Sequence, residues 1–349
     1  MSPDGSTVVG TSGTAFAWTQ STGLVDLGDL PGREVSAIAH DASNNGVVVG
    51  GSRSFLNGTT EAFVWTEAGG MLGLGALGPR PPATYESQAT AVSADGRVVV
   101  GLSSAPADRT AFYWTEAEGM VDLGATFGLL APTGALGVSA DGTTIVGGVG
   151  AGPFLWTRSG GYVALGTLPG GVSSGSARAV SGDGKIVVGS VGGAILREEA
   201  FRWTEATGMQ SLGSLPNVGA TIATTVSDDG RVIAGQLGFA DGSPAAAFVW
   251  TETGGIQRLD TVLGTILGVD VTGWTLSNVY GMSADGLTLA GTGRNPSGQS
   301  EAWVATLPAS FVIPEPSTAV LVALGVVGLG ARRRVVVARG TGERRTLLA

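Results

Sequence analysis

Cysteine is absent from this 349-residue chain and histidine occurs once. No disulfide framework, thiolate zinc site, cysteine nucleophile or histidine metal cluster can therefore be built from it. Charge is also scarce: only 13% of residues are Asp, Glu, Lys or Arg, and the formal net charge is −9. Six of the 19 basic residues fall at 332–349 beside a single Glu, so the rest of the chain carries 13 basic against 27 acidic residues, a balance of −14. Such a body repels nucleic acid and anionic lipid, and neither is expected as a partner. Apolar runs long enough for an ordinary membrane span, about 20 residues, are lacking too.

In their place are 60 Gly, 15 Pro and short alternating runs of Val, Ile, Leu, Phe and Trp, with a mean hydropathy of +0.29. That pattern predicts many short strands joined by tight turns. It repeats every 42–55 residues or so, a period in the range of propeller blades. Phe-x-Trp-Thr stands at Phe16–Thr19, Phe63–Thr66, Phe112–Thr115, Phe154–Thr157, Phe201–Thr204 and Phe248–Thr251. Each Trp is followed by Gly at the fifth position (Gly23 through Gly255) and by Leu four further on (Leu27 through Leu259). A seventh, degraded copy has Trp303 in the Phe position and Ala305 in the Trp position.

Ahead of these copies runs Ser-x-Asp-Gly, then an apolar stretch ending in Gly, as in Ser93–Gly101; the copy without it has Asn45-Gly46. Asp-Gly and Asn-Gly between apolar runs predict a hairpin with a type I′ turn. Each repeat then reads as four strands. In the third copy these are Ala89 to Val92, Val98 to Gly101, Ala111 to Trp114 and Met120 to Leu123. Seven four-stranded units that bury their faces only on one another predict an all-β fold, a seven-bladed β-propeller over residues 1–310 with incomplete first and last blades. Met1–Gly5 matches Met282–Gly286, so the chain opens in mid-repeat, without the inner strand of the first blade and without a secretory signal. Both are expected to belong to residues missing from the front. Loop lengths vary only between the second and third strands and between blades, and therefore on one face. Arg53, Arg80, Arg109, Arg197 and Arg294 occupy that face as candidate binding residues.

Catalytic signals are weak. His40, aligned on the apolar residue of the inner strand, falls with Val92, Val138, Val180, Val226 and Met282 and reads as structural. Gly171–Gly175 matches Gly-x-Ser-x-Gly, but it lies between strands and not in the strand–turn–helix setting that the motif requires. The turn carboxylates Asp4, Asp95, Asp141, Asp183, Asp229 and Asp285 precede Gly and are explained by turn geometry; no EF-hand loop is present. Trp and Phe, two apart on one strand, point to the same side and into blade packing. No catalytic residue, metal or cofactor is expected, and the chain is read as a non-enzyme.

Residues 311–349 form a different unit. Pro314-Glu315-Pro316 precedes an apolar stretch at 318–331 and then Arg332-Arg333-Arg334. The stretch predicts a short transmembrane helix, and the Arg cluster belongs on the cytoplasmic side by the positive-inside rule, which puts the body on the far side. This arrangement resembles the PEP-CTERM sorting signal. The resemblance implies an exosortase-type processing enzyme as partner, transient anchoring in the inner membrane, and delivery to the cell surface or beyond. From Phe16 to about Trp303 the chain resembles the HAF-type extracellular repeat family, carried by segments such as Ala111–Thr115, Gly119–Gly124 and Leu168–Gly171. Where that family commonly has His before Ala-Phe, this chain has Thr14, Glu61, Thr110, Gly152, Glu199, Ala246 and Glu301. The expectation is an exported surface or matrix protein that binds polysaccharide or a surface protein, or has a structural role. The alternative is a propeller lyase or hydrolase acting on surface polysaccharide, which would need acidic or Tyr/Arg side chains converging on the central channel.

Overall fold

The computed structural model describes residues 1–31, 35–54, 59–78, 86–104, 109–124, 132–149, 152–193, 197–311, 334–337 and 345–348. Seven antiparallel sheets follow one another along the chain. The third is representative: Ser87–Val92, Val99–Ser104, Arg109–Thr115 and Gly119–Asp122, paired in chain order. We call these positions strands a to d. The first sheet has only b, c and d, from Thr7 to Asp26. In the seventh sheet Val304 of strand c pairs with Val336, so that Arg334–Val337 takes the d position and Arg345–Leu348 lies beyond it. The expected helix over 318–331 lies outside the described residues. Among the described residues no helix is long and apolar enough to cross a membrane.

The sheets stack face to face, and apolar residues fill the gaps between them. Phe63, Phe112, Phe154, Phe201 and Phe248 are fully buried, whereas Trp65, Trp114, Trp203 and Trp250 are half-buried nearer the blade end. The first blade leaves both Phe16 and Trp18 half-buried. Six hydrophobic clusters join successive blades, from Ala15 with Ala37 at one end to Val249 with Leu276 at the other. Between the seventh and first blades no such cluster forms among the described residues. Closure there runs through the Met1–Gly5 segment, where the Ala284 N–H donates to the Pro3 carbonyl at 2.5 Å.

Both turn motifs act through side chains. In Ser-x-Asp-Gly the serine is buried, as at Ser93 and Ser139, both 0% exposed. Its hydroxyl donates to the aspartate (Ser139 to Asp141, 2.6 Å) and accepts the N–H five residues on (Thr144, 3.0 Å). The Gly N–H closes the turn onto the Ser carbonyl, at 2.9 Å for Gly142 and Ser139. Gly142 has φ 74°, but Asp141 does not have a positive φ. The expected type I′ turn is therefore replaced by a four-residue turn with a left-handed Gly at its end. Asp recurs because it accepts hydrogen bonds. At the c–d turn the Thr of Phe-x-Trp-Thr accepts the N–H three residues on, as Thr115 does from Glu118 at 3.2 Å. Glu67, Glu116, Glu205 and Glu252 at these turns are exposed.

The longest connection, after Arg258, is more ordered than a loop. Leu259–Thr261 and Val262–Ile266 form one α-helical and one π-helical turn, and Val262 and Leu263 are buried against the seventh blade.

Candidate functional site

Every complete inner strand carries a bulge at one place. In the second blade Ala39 pairs with Gly50 and Asp41 with Val49, leaving His40 unpaired between them. The same shift skips Thr90, Leu136, Arg178, Thr224 and Tyr280 in the blades that follow. The residue opposite each bulge is the Gly that ends the apolar run of strand b. At Gly101 a Cβ would overlap the Gln88 carbonyl oxygen and stand 2.9 Å from the Phe112 ring. Glycine is required there because the inner strand bends over it while the Phe ring packs beneath. A bulge of this kind re-aims one side chain per strand.

The six bulge residues line a cavity of about 180 Å³ at the centre of the ring. Also lining it are Pro3, Ala94, Ala140, Gly182, Asp228 and Ala284, the x residues of Ser-x-Asp-Gly, which place it at the turn end of the channel. These x residues form a belt of backbone hydrogen bonds from blade to blade: Asn44 to Ala94, Ala94 to Ala140, Ala140 to Gly182, Asp228 to Ala284 and Ala284 to Pro3, at 2.5–3.2 Å. Pro3 has no N–H to continue it, and the Asp4 N–H reaches the Asn44 side chain instead, at 2.8 Å. The belt fixes the mouth of the cavity.

Polar groups at the cavity differ blade by blade. His40 Nε2 lies 2.7 Å from Gln88 Nε2; with the amide as donor, the imidazole accepts as a neutral ring. Crowding by the channel wall lowers the His40 pKa, in keeping with that form. Burial pushes the Asp41 carboxyl up, against the opposing influence of the Met1 amine and of the Val92 N–H, which donates to it at 3.1 Å. Asp228 is also raised, by burial first and by the neighbouring Asp229 and Asp183 second. Thr90 and Thr224 donate to the Ala135 and Val279 carbonyls of the next blade, at 2.7 and 2.5 Å. Tyr280 is 64% exposed. The Nε of Arg178 is buried without a hydrogen-bond partner. Taken together, these groups offer one guanidinium, two carboxyls with raised pKa, a neutral imidazole and a phenol. Among the described residues no three His, Asp or Glu side chains are grouped to hold a metal ion.

His40 thus aligns with Thr90 and Arg178, and not with Val92 and Val180; counting back from Ser43 places it two residues away from the expected register. The signal was present in the sequence, since the third residue before each Ser varies widely while the residue just ahead of it is always Ala or Val. Ser173 opens the exposed start of an inner strand in the fifth blade, while His40 is in the second and bonded to Gln88. Of the five arginines expected on the loop face, the side chains of Arg109, Arg197 and Arg294 are described. Arg109 pairs with Glu86, Arg294 donates to the Gly298 carbonyl at 3.2 Å, and Arg197 is exposed with its backbone N–H on the Gly219 carbonyl. The Arg53 and Arg80 side chains lie outside the described residues, as do Pro314, Glu315, Pro316, Arg332 and Arg333. Arg334 begins the strand beside Val304 in sequence order of the seventh sheet.

Fold and site together define a seven-bladed β-propeller with a polar, bulge-built channel mouth. Residues 312–334 match the model of the PEP-CTERM protein-sorting motif. No curated protein matches the chain. Among solved structures it is similar to an oligogalacturonate lyase in complex with manganese, at 15% identity over 88% of both chains with a TM-score of 0.55. A Vibrio parahaemolyticus oligogalacturonate lyase matches at 12% identity over 89% of both chains, TM-score 0.56. A putative TolB from Agrobacterium tumefaciens matches at 13% identity over 86% of this chain and 99% of that one, TM-score 0.50. At these identities the likeness is one of fold.

Proposed function

We propose that this protein is an exported, non-enzymatic propeller of the cell surface or extracellular matrix, where it binds a polysaccharide or a protein partner, or helps to build the matrix. The observation that carries this reading is the sorting motif at 312–334 immediately behind a run of seven blades. An exosortase-type enzyme processes the tail near Pro314-Glu315-Pro316 after transient anchoring in the inner membrane. The repeats are of HAF type, and their task is recognition on a rigid ring. Immunodetection on intact cells tests this reading. The body is expected at the surface, and replacement of Pro314, Glu315 and Pro316 by Ala should retain it in the membrane. A body found in the cytoplasm whatever the tail would contradict it.

A second reading, a lyase or hydrolase acting on surface polysaccharide, is favoured by the convergence of His40, Asp41, Arg178, Asp228 and Tyr280 on one cavity. The solved lyases of similar fold add no residue correspondence to that reading. Release of reducing or unsaturated ends from glycans, abolished by Asp228→Asn, would establish it over the first.

A further inference from the structure

Arg178 sits on the bulge of the fifth blade and lines the channel cavity, and among the described residues it has neither an ion pair nor a hydrogen bond at its buried Nε. The other cations of this region are matched. Arg97, Lys185 and Arg231 lie 3.4–3.7 Å from Asp95, Asp183 and Asp229 of their own turns, and the Met1 amine lies 3.5 Å from Asp41. A guanidinium presents its donors in a fixed planar fork suited to a carboxylate, and a buried donor without a partner is costly. The cavity therefore holds one cationic fork in need of an acceptor.

What else lines the cavity narrows the acceptor. Asp41 and Asp228 are anionic or hydrogen-bond-accepting, so both would oppose a dianion such as a phosphate monoester. A monoanion with neighbouring hydroxyls suits both sets: its charge meets Arg178 and its hydroxyls donate to the two aspartates. The exposed Tyr280 ring offers a flat apolar face for a ring of C–H groups, and Leu136 adds an apolar side chain elsewhere in the lining. At about 180 Å³ the cavity is smaller than the roughly 300–1,000 Å³ of sites for drug-sized ligands, and it takes one ring.

We propose that the channel mouth binds a hydroxylated monocarboxylate, the chemistry of an acidic sugar, with Arg178 as its carboxylate anchor and Asp41 and Asp228 as hydroxyl acceptors. The inference rests on the recognition role given above and names its ligand. The source is either a free sugar acid or the end of an acidic glycan chain.

Calorimetric titration of the full-length protein with glucuronate, a glucuronate-containing oligosaccharide and glucose tests it. Glucuronate should bind and glucose should bind at least tenfold more weakly. Arg178→Gln should weaken glucuronate about tenfold or more, as expected for loss of a charge-assisted pair, and leave glucose unchanged. Arg178→Lys should recover part of the loss. Tighter binding of the oligosaccharide than of glucuronate assigns the site to a glycan end, and the reverse assigns it to the free acid. Equal binding of glucuronate by Arg178→Gln, or no binding by the folded parent, overturns the proposal. Surface detection on cells is read separately, so loss of the ligand leaves the export reading standing, and the converse also holds.

Discussion

Gly101→Ala is the sharpest probe of how the channel mouth is built. The new methyl would overlap the backbone carbonyl of Gln88 and stand 2.9 Å from Phe112 Cε1 and 3.0 Å from Ala89 Cα. None of these can yield cheaply: two are backbone, and Phe112 is fully buried between blades. Gly101 itself is outside the left-handed region, so alanine brings no dihedral penalty and the whole cost is steric. Overpacking a core costs about 1–3 kcal/mol and occasionally more. With backbone on two sides the upper end applies, about 3 kcal/mol. Gly119 is the comparison, with φ 68° and nothing within 4 Å of a Cβ. There alanine meets only the left-handed penalty, about 1–2 kcal/mol. Urea unfolding followed by tryptophan fluorescence reads both variants on one scale. Gly101→Ala should lose the larger share of stability, and should also disturb the bulge at Thr90, seen as loss of its hydroxyl bond to Ala135 in a structure of the variant. A cost at Gly101 no greater than at Gly119 would refute the view that the bent inner strand requires glycine beneath it.

Three other outcomes follow from the fold. Phe201→Ala removes a fully buried ring from the cluster between the fourth and fifth blades and should cost about 3–5 kcal/mol by denaturant melting. Ser139→Ala leaves the Thr144 N–H and the Asp141 carboxylate without their shared hydroxyl; a loss of about 1–3 kcal/mol is expected, whereas Ser139→Thr should lose less if the hydroxyl is what matters. The third concerns acid. Burial of Asp4, Asp95 and Asp141 favours the neutral form, but bonds from Ser hydroxyls and backbone N–H groups outweigh it and lower all three pKa values, and Asp183 is lowered chiefly by Ser181. Their contribution is fully present above the unfolded pKa, about 3.9, and is lost as pH falls through the lower folded values. Melting temperature should therefore drop below about pH 4, and less steeply in a variant with Asp95 and Asp141 changed to Asn.

Much of the architecture was legible because repetition multiplies weak signals. Phe-x-Trp-Thr and Ser-x-Asp-Gly each recur at fixed spacing, and together they give the number of sheets, the three-stranded first blade and the core aromatics. The bulge was hidden by the same regularity. An extra residue present in every complete inner strand shifts no spacing between copies, and only pairing with strand b exposes it. Pairing is what moves His40 into the slot of Arg178 and Tyr280, which spacing alone does not single out. The turn differs from the one that the backbone preference of Asp-Gly predicts because the buried Ser hydroxyl selects it. Recognition was expected on the variable loop face, yet the described cavity lies at the constant end, where chemical variety comes from the bulge residues together with Asp41 and Asp228.

If the tail exports and sorts the ring before it, the mature C-terminus records the cut. Mass spectrometry of the mature protein's C-terminus, taken from the cell surface or medium of its native host, measures this. The account predicts a C-terminus close to Pro314–Pro316, with the body recovered outside the cytoplasm. An intact chain ending at Ala349 and confined to the cytoplasm would contradict it.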